Sequence, residues 1–373
     1  MTPVTPAAPP VAGPVRPSTS GGLTDLVTRR SVLVCCGPGG VGKTTVAGVL
    51  ALEGARQGRR AVVLTVDPAK RLADALGLDS LTDTPRRIEG DWPGELWALM
   101  LDPRSTFDAL VAHYAAGPDQ AAAILANRFY RNIAGALSGT QEYMAMEKLF
   151  ELHGDERFDL VVVDTPPTRN ALDFVDAPRR LTRLLDNRLF RLLMAPARTG
   201  LRAVNFATQA FLRTIGKVVG SDVVTDAVTF FQAFEGMEDG FRQRAQGVLD
   251  LLADPCTAFV LVTSPRRDAA RETRFFAEKL DEAGIRAEAL VVNRMHPRFG
   301  TVGPVGGSVP VAALAPLYGN LSDLAGLADG EEAHVVDLAE RVGAPAVRVP
   351  ELETDVHDLP GLARVAGHVF GSR

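Results

Sequence analysis

Apolar positions along the chain fall into two alternating patterns from residue 31 onward. Short runs rich in Val, Leu and Ala, without polar alternation, are typical of strands buried on both faces of a sheet. Between them, apolar residues repeat every three or four positions, which is the spacing of an amphipathic helix. The pattern predicts an α/β fold with a mostly parallel central sheet flanked by helices. The predicted strands are Ser31–Cys36, Ala61–Val66, Leu96–Leu101, Phe158–Asp164, Ala258–Thr263, Ala289–Asn293 and Ala346–Val349, and the clearest helices are Thr44–Gln57 and Arg266–Ala283.

Two long segments interrupt this alternation, at Asp102–His153 and Pro178–Asp254. Both follow a helical pattern and are too long to be simple crossovers between neighbouring strands. We predict that they form an inserted helical subdomain, above the edge at which the parallel strands end. Part of the second segment, Leu201–Phe234, is rich in Leu, Val and Phe. That composition suits core packing, an oligomer surface or a groove for an apolar membrane-protein client.

Composition suggests where the folded region begins and where a long loop interrupts it. Residues 1–22 are rich in Pro and Ala and have too little apolar surface to form a core, so we predict a disordered tail followed by one domain over 23–373. The longest uncharged stretch, Gly300–Ser322, is interrupted repeatedly by Gly and Pro. It would make a poor membrane-spanning helix, and we predict a loop there.

Charge and cysteine content narrow the classes of function. The chain has 45 acidic and 40 basic residues, a formal net charge of −5 that argues against non-specific binding to nucleic acid. Cys35, Cys36 and Cys256 form no C-x-x-C pair, so we expect neither a disulfide framework nor a cysteine-based zinc site. The first residues lack the charged-then-apolar pattern of a signal peptide. We therefore expect a cytoplasmic protein without stable membrane insertion.

The sequence GPGGVGKT at residues 37–44 fits the phosphate-loop pattern G-x-x-x-x-G-K-[ST]. It follows a predicted strand and opens a predicted helix, which is the context that the pattern requires. Its glycines let backbone N–H groups turn toward phosphate oxygens, and the helix N-terminus adds positive potential. Lys43 is expected to reach the β- and γ-phosphates and Thr44 to bind Mg²⁺. The motif therefore predicts binding of ATP with Mg²⁺.

Two aspartates end predicted strands and are candidates for the chemistry of hydrolysis. Asp164 follows an apolar strand, as expected of an acid beside the Mg²⁺ ligands that acts through a bound water; the alternative is a polar cap at the strand end. Asp67 ends another strand. Because parallel strands converge on the phosphate site, it could orient or deprotonate the attacking water, or simply cap the next helix.

Three motifs stand in order along the chain: Gly37–Thr45, Asp67–Ala69 followed by Leu72–Leu76, and Asp164–Thr168. Together they resemble the anion-transporting ATPase family, which includes the arsenical pump-driving ATPase and the ATPase that targets tail-anchored membrane proteins. The resemblance implies a P-loop NTPase fold. It also implies that Asp67 orients the water.

The resemblance completes the set of candidate site residues. Asn293 is similar to the family's adenine-reading Asn, and Val349 and Pro350 resemble its last base-contacting strand end. The expected catalytic residues are Asp67 and Lys43, and the expected metal residues are Thr44 and Asp164. The second switch is expected at Thr165, Pro166, Pro167 and Thr168. The expected nucleotide-binding residues are Gly37, Gly39, Gly40, Val41, Gly42, Lys43, Thr44, Thr45, Asn293, Val349 and Pro350.

The chain departs from the family pattern at two positions. Pro38 stands where relatives carry a second Lys that crosses a dimer interface to the partner's nucleotide. Because Pro supplies neither charge nor N–H, we expect slower hydrolysis, a substitute basic residue elsewhere, or pairing with a paralogue. Arg169 replaces a Gly in the second switch and is either an added phosphate- or partner-contacting charge or a solvated helix-start residue.

These features leave three hypotheses of function. The first is an Mg²⁺-dependent ATPase, a homodimer or a heterodimer with a paralogous ATPase, that couples turnover to conformational change. Handling of a membrane-protein client is one use of that change. The second is a nucleotide-regulated scaffold or weakly active partner subunit, which Pro38 makes plausible. The third is a partitioning-type ATPase, which normally needs the missing Lys and a basic or amphipathic anchor.

Overall fold

The computed structural model describes residues 20–67, 70–131, 140–166, 171–186, 221–299 and 311–371. The strands are β1 (Val32–Cys36), β2 (Arg60–Thr65), β3 (Arg86–Ile88), β4 (Glu95–Met100), β5 (Leu160–Asp164), β6 (Thr257–Thr263), β7 (Ala287–Met295) and β8 (Ala346–Pro350). The helices are α1 (Ser20–Arg29), α2 (Lys43–Arg56), α3 (Arg71–Ala75), α4 (Pro103–Tyr114), α5 (Pro118–Ala126), α6 (Thr140–His153), α7 (Ala171–Asp186), α8 (Ser221–Ala233), α9 (Glu238–Ala253), α10 (Arg267–Glu282), α11 (Val311–Val342) and α12 (Leu359–Phe370).

The strands form one sheet in the order β3-β4-β2-β5-β1-β6-β7-β8. Every pairing is parallel except that of β3 with β4. The apolar strands β1, β5 and β6 lie at the centre and are buried along their whole length. This confirms the predicted α/β class and the mostly parallel sheet. The antiparallel edge strand β3 was not predicted, because it has only three residues and two of them are exposed arginines.

Helices cover both faces of the sheet and form two separate cores. One core joins α1, α2, α3 and α12 to side chains such as Leu33, Val63 and Val260. The other joins α4, α5, α6, α8, α9, α10 and α11 to the alternate residues of the same strands, such as Val34 and Leu64. Because successive side chains of a strand point to opposite faces, each apolar strand feeds both cores. The carboxyl ends of the parallel strands lie together along one edge of the sheet, which is where the predicted site lies.

The two segments with a helical pattern contain helices wherever the structure describes them. The first holds α4, α5 and α6, and the second holds most of α7 together with α8 and α9. Phe230 and Phe234 of the apolar stretch are buried in the core, whereas residues 201–220 lie outside the described residues. The subdomain boundaries at 102–153 and 178–254 stay a prediction.

Two expectations about the ends of elements need correction. Ser20–Gly22, which were placed in the tail, form the first turn of α1, because the apolar residues that follow, such as Leu23, bury the helix against the sheet. Residues 1–19 lie outside the described residues. The predicted loop Gly300–Ser322 is wrong from Val311 onward, where α11 begins and continues through Pro316. Ala and Leu dominate this stretch, and their helix propensity outweighs the interruptions.

The length and apolar character of the helices determine whether any of them could span a membrane. Within the described ranges, none of them combines the length and the apolar character needed to cross a bilayer.

Candidate functional site

The loop between β1 and α2 is built on glycines that adopt positive φ values. Gly37, Gly40 and Gly42 have φ of 146°, 74° and 98°, a region that side chains with a Cβ rarely enter. A Cβ on Gly37 would lie 2.0 Å from the carbonyl oxygen of Val262 on the neighbouring strand β6. The loop therefore follows a path that requires glycine, and it leads directly into the N-terminus of α2.

Lys43 is the first residue of α2 and is only 6% exposed. Its Nζ donates to the carbonyl oxygens of Gly37 and Pro38, at 3.0 and 2.9 Å. Burial lowers the pKa of Lys43, and the nearby carboxylate of Asp164 opposes this shift. The ammonium group is thus held inside the loop, where a bound phosphate would supply the negative charge that the loop carbonyls supply only in part.

Asp164 lies at the carboxyl end of β5 and is the acceptor for two hydroxyl groups. Thr44 Oγ1 donates to its Oδ2 at 2.7 Å, and Thr65 Oγ1 donates to the same oxygen at 2.9 Å. Burial raises the pKa of Asp164 to about 6, although these hydrogen bonds and Lys43 act in the opposite direction. Of the buried side-chain polar atoms that the structure describes, Asp164 Oδ1 alone has no hydrogen-bond partner. An unpartnered oxygen at this depth indicates a place for a ligand.

The donor set around this oxygen fits magnesium. Hydroxyl and carboxylate oxygens are the ligands that Mg²⁺ prefers, and the ion usually keeps several waters and binds the phosphates of its substrate. In the described part of the chain, no group of three or more His, Cys, Asp or Glu side chains converges on one point. A metal here would thus depend on Thr44, on Asp164 and on the nucleotide itself.

Asp67 follows β2 at the same edge of the sheet. Its N–H donates to Thr65 Oγ1 at 3.2 Å, which ties its backbone to the residue that also binds Asp164. Its carboxylate lies 4.0 Å from the guanidinium of Arg71 and is partly exposed. The following residues 68 and 69 lie outside the described residues. Since β5 lies between β1 and β2 in the sheet, Asp67 comes to the same edge as Asp164 and the phosphate loop.

A cavity of about 720 Å³ opens between the phosphate loop and the ends of β7 and β8. Of the predicted site residues, its lining contains Gly40, Gly42, Lys43, Thr44, Thr45, Asp67, Asp164, Thr165, Asn293, Val349 and Pro350. Gly39 and Val41 instead line a second cavity of about 410 Å³ on the outer side of the loop, together with Pro38. Gly37 lies at the start of the loop, against β6.

Asn293 connects the far side of the cavity to the loop. Its Nδ2 donates to the carbonyl oxygen of Val41 at 2.9 Å, and its Oδ1 accepts from the backbone N–H of Arg294 at 3.0 Å. An amide has two donor hydrogens and two acceptor sites, so one of each remains for a ligand. Thr165 is fixed by donation from its hydroxyl to the carbonyl of Cys35 at 2.8 Å, and Pro166 is buried; Pro167, Thr168 and Arg169 lie outside the described residues.

Three residues of the site were not predicted from sequence. Arg294 has a positive φ of 60° and lines both cavities. His357 lines the larger cavity from the segment between β8 and α12. Gln141, on the first turn of α6, donates to the carbonyl of Val66 at 3.1 Å, next to Asp67. Arg294 adjoins Asn293 in sequence, a signal that could have found it; the other two depend on tertiary placement.

The chain is similar in sequence to several known proteins. A sequence model described as "Anion-transporting ATPase" matches residues 30–299. A Streptomyces coelicolor protein, named only as uncharacterized protein SCO2128, is 34% identical over 270 residues, which span 71% of this chain and 62% of that protein. This chain thus covers less than two thirds of that relative's length.

Two relatives with assigned names were also found. The ATPase GET3 of Malassezia globosa is 27% identical over 277 residues, 73% of this chain and 76% of that protein. The ATPase asna-1 of Caenorhabditis elegans is 26% identical over 326 residues, 83% of this chain and 89% of that protein.

Proposed function

Because the chain belongs to the anion-transporting ATPase family, we propose that it binds Mg²⁺ and ATP in the larger cavity and hydrolyses the nucleotide. The observation that supports this best is a buried, incompletely bonded cation beside a buried, unpartnered carboxylate oxygen at one loop. Lys43 is buried with only carbonyl partners, and Asp164 Oδ1 is buried with none. Triphosphate and metal together would satisfy both groups.

In this proposal the two ends of the cavity bind the two ends of the nucleotide. Backbone N–H groups of the phosphate loop and the N-terminus of α2 bind the phosphates, and Lys43 binds the β- and γ-phosphates. Val349 and Pro350 line the cavity at the end of β8 and contact the adenine, and Asn293, which is bonded to the loop at Val41, contacts it from β7. Thr44 and Asp164 would hold Mg²⁺, which neutralises charge on the phosphates when bound.

Asp67 is the residue that we propose for the water. Its carboxylate would orient the attacking water and accept its proton, while the water oxygen forms a bond to the γ-phosphorus. The bond between that phosphorus and the oxygen bridging to the β-phosphate breaks, so that ADP and inorganic phosphate are released. Lys43 remains beside the phosphates throughout and stabilises their negative charge.

The finer parts of the function are proposed on the family alone. We propose that turnover drives a conformational change in a homodimer or in a heterodimer with a paralogue, and that a membrane-protein client is the object of this change. Action in the cytoplasm stays a prediction. Pro38 favours one alternative, a nucleotide-regulated scaffold or weakly active partner subunit, because it removes the second loop cation that relatives carry.

Two substitutions test the proposal in the full chain. Lys43→Ala should weaken ATP binding by about 100-fold, since it removes a charge-assisted contact to the phosphates. Asp67→Asn should keep ATP affinity and lower turnover by about 100-fold or more. Lys279→Ala is the matched control, because Lys279 pairs with Glu282 on α10 and lies outside both cavities.

The measurements are the dissociation constant for ATP and the steady-state release of phosphate. Unchanged turnover in Asp67→Asn would contradict the role of this residue. ATP binding by the wild type without measurable hydrolysis would favour the scaffold, and absence of ATP binding would overturn both readings.

A further inference from the structure

Arg294 has an unusual backbone conformation for its residue type. Its φ of 60° lies in the left-handed region, where it is the one residue other than glycine among those that the structure describes. For a residue with a long side chain this conformation is unfavourable by on the order of 1 kcal/mol. Such strain persists only where the surrounding structure fixes it, and it concentrates at functional sites. Here the N–H of Arg294 is fixed by Asn293 Oδ1 at 3.0 Å.

The strained backbone directs the side chain of Arg294 onto the phosphate loop. Its Nη1 donates to the carbonyl oxygen of Gly40 at 3.3 Å. The residue lines the larger cavity and also the smaller one on the outer side of the loop, so it stands between the two. Gly40 belongs to the part of the motif that wraps phosphate, which places the guanidinium at the phosphate end of the larger cavity.

The other guanidinium groups at these cavities already have carboxylate partners. Arg71 lies 4.0 Å from the Asp67 carboxylate, and Arg266 lies 3.0 Å from the Asp268 carboxylate. Arg294 forms no salt bridge with any carboxylate in the described ranges, although Glu351 lines both cavities with it. Apart from the bond of Nη1 to Gly40, this exposed guanidinium beside the phosphate loop keeps its N–H donors for an anion.

The position of Arg294 also bears on the missing loop cation. Pro38 lines the smaller cavity together with Arg294 and contributes neither a positive charge nor an N–H group. We infer that the guanidinium of Arg294 binds the phosphates of the nucleotide and so supplies the second cation of the loop from β7. This inference rests on the proposed function, since it concerns how the same site holds a nucleoside triphosphate.

The test uses binding to the full chain and needs no turnover. Arg294→Gly removes the side chain and also relieves the strain, because glycine adopts positive φ readily. It should therefore fold with an unchanged or higher melting temperature and bind ATP about 10- to 100-fold more weakly. Arg294→Lys keeps a charge and should lose less. Arg298→Ala is the matched control, since Arg298 pairs with Asp329 and lies outside both cavities.

Three ligands distinguish a phosphate contact from a base contact. ATP, GTP and inorganic tripolyphosphate share the phosphates and differ in the base, so Arg294→Gly should weaken all three by the same factor. The inference is overturned if the variant binds ATP like the wild type, or if tripolyphosphate binding is unchanged while the preference for ATP over GTP shifts. In both cases wild-type ATP binding remains, and the proposed function stands.

If Arg294→Gly does not fold, the same comparison is made with Arg294→Asn, which removes the charge and, after glycine, is among the residues that adopt positive φ most readily. Wild-type affinity in that variant for all three ligands overturns the inference. Failure of the wild type itself to bind ATP would instead contradict the proposed function.

Discussion

Glu147 in the helical region and Asp164 at the phosphate loop are both 1% exposed, yet the hydrogen-bond partners of their two carboxylates differ. Glu147, on α6, accepts from the Tyr143 hydroxyl through one oxygen and from Arg244 Nε through the other, at 2.7 Å in the second case. Asp164 uses one oxygen for two hydroxyl groups and leaves the other without a partner. Burial raises the pKa of both groups.

The difference separates a structural charge from a functional one. A buried carboxylate with a hydrogen-bond partner on each oxygen is satisfied within the protein and needs no ligand. Glu147 meets this description, and Arg244 is further fixed by lying 4.2 Å above the ring of Phe150. A perturbed pKa alone would have marked both residues as candidate site residues. The unsatisfied oxygen identifies Asp164.

The largest expected effect comes from breaking the satisfied pair. Arg244→Ala leaves Glu147 buried without its cation and should lower the free energy of unfolding by about 3–5 kcal/mol. Arg242→Ala, on the same helix α9, removes two exposed ion pairs, with Asp239 and with Asp186 of α7, and should change the free energy by about 1 kcal/mol or less. Denaturant titration followed by circular dichroism measures both values. Equal losses in the two variants would show that the Glu147 network is not the stabilising feature inferred here.

Much of the fold could be predicted because its strands are apolar runs. In β5, from Leu160 to Asp164, every residue but the last is apolar, and burial on both faces leaves no other place for such a segment. The path of α11 could not be predicted. From Pro316 to Leu327 every residue but the half-buried Leu321 is exposed, so no amphipathic pattern marks this half, and the local glycines and prolines favour a loop.

The residues of the site likewise fall into those that could be predicted from sequence and those that could not. The phosphate loop and Asp164 could be predicted because their spacing and their position at strand ends dictate their surroundings. The Tyr143–Glu147–Arg244 network joins α6 to α9 across nearly a hundred residues of sequence, and no local pattern reports such a contact. Arg294 could have been found from its adjacency to Asn293, but its direction toward the loop depends on a single backbone angle, which neither composition nor periodicity encodes.

A smaller effect is expected from pH, acting through Asp164. Burial raises the pKa of Asp164 in the folded protein to about 6. Protonation of this carboxyl therefore stabilises the nucleotide-free protein fully below the unfolded pKa of about 3.9, and the stabilisation is lost as pH rises through 6. Magnesium binding requires the charged carboxylate, so the trend for ligand is opposite. The affinity for Mg²⁺ and ATP should fall about tenfold for each pH unit below 6.

This trend is measured as the dissociation constant for ATP at fixed Mg²⁺ between pH 5 and pH 8. The terminal phosphate of the nucleotide also titrates in this range, so the readout is the difference in slope between the wild type and Asp164→Asn. The variant should show the shallower slope, because its amide does not titrate. Identical slopes would contradict a role for Asp164 near the metal and would weaken the distinction between the two carboxylates.

The smallest expected effect concerns Gln141, which links the two regions, since its helix α6 also carries Glu147. Its Nε2 donates to the carbonyl of Val66 at 3.1 Å, directly before Asp67. Gln141→Ala removes one partly buried neutral hydrogen bond and should lower the free energy of unfolding by about 1 kcal/mol. If the bond positions Asp67, kcat for ATP should fall several-fold while KM stays constant. Gln246→Ala, which loses an exposed bond to Asp250 on α9, is the control for stability alone. A higher KM with unchanged kcat would mean that α6 acts on nucleotide binding rather than on the water-orienting acid.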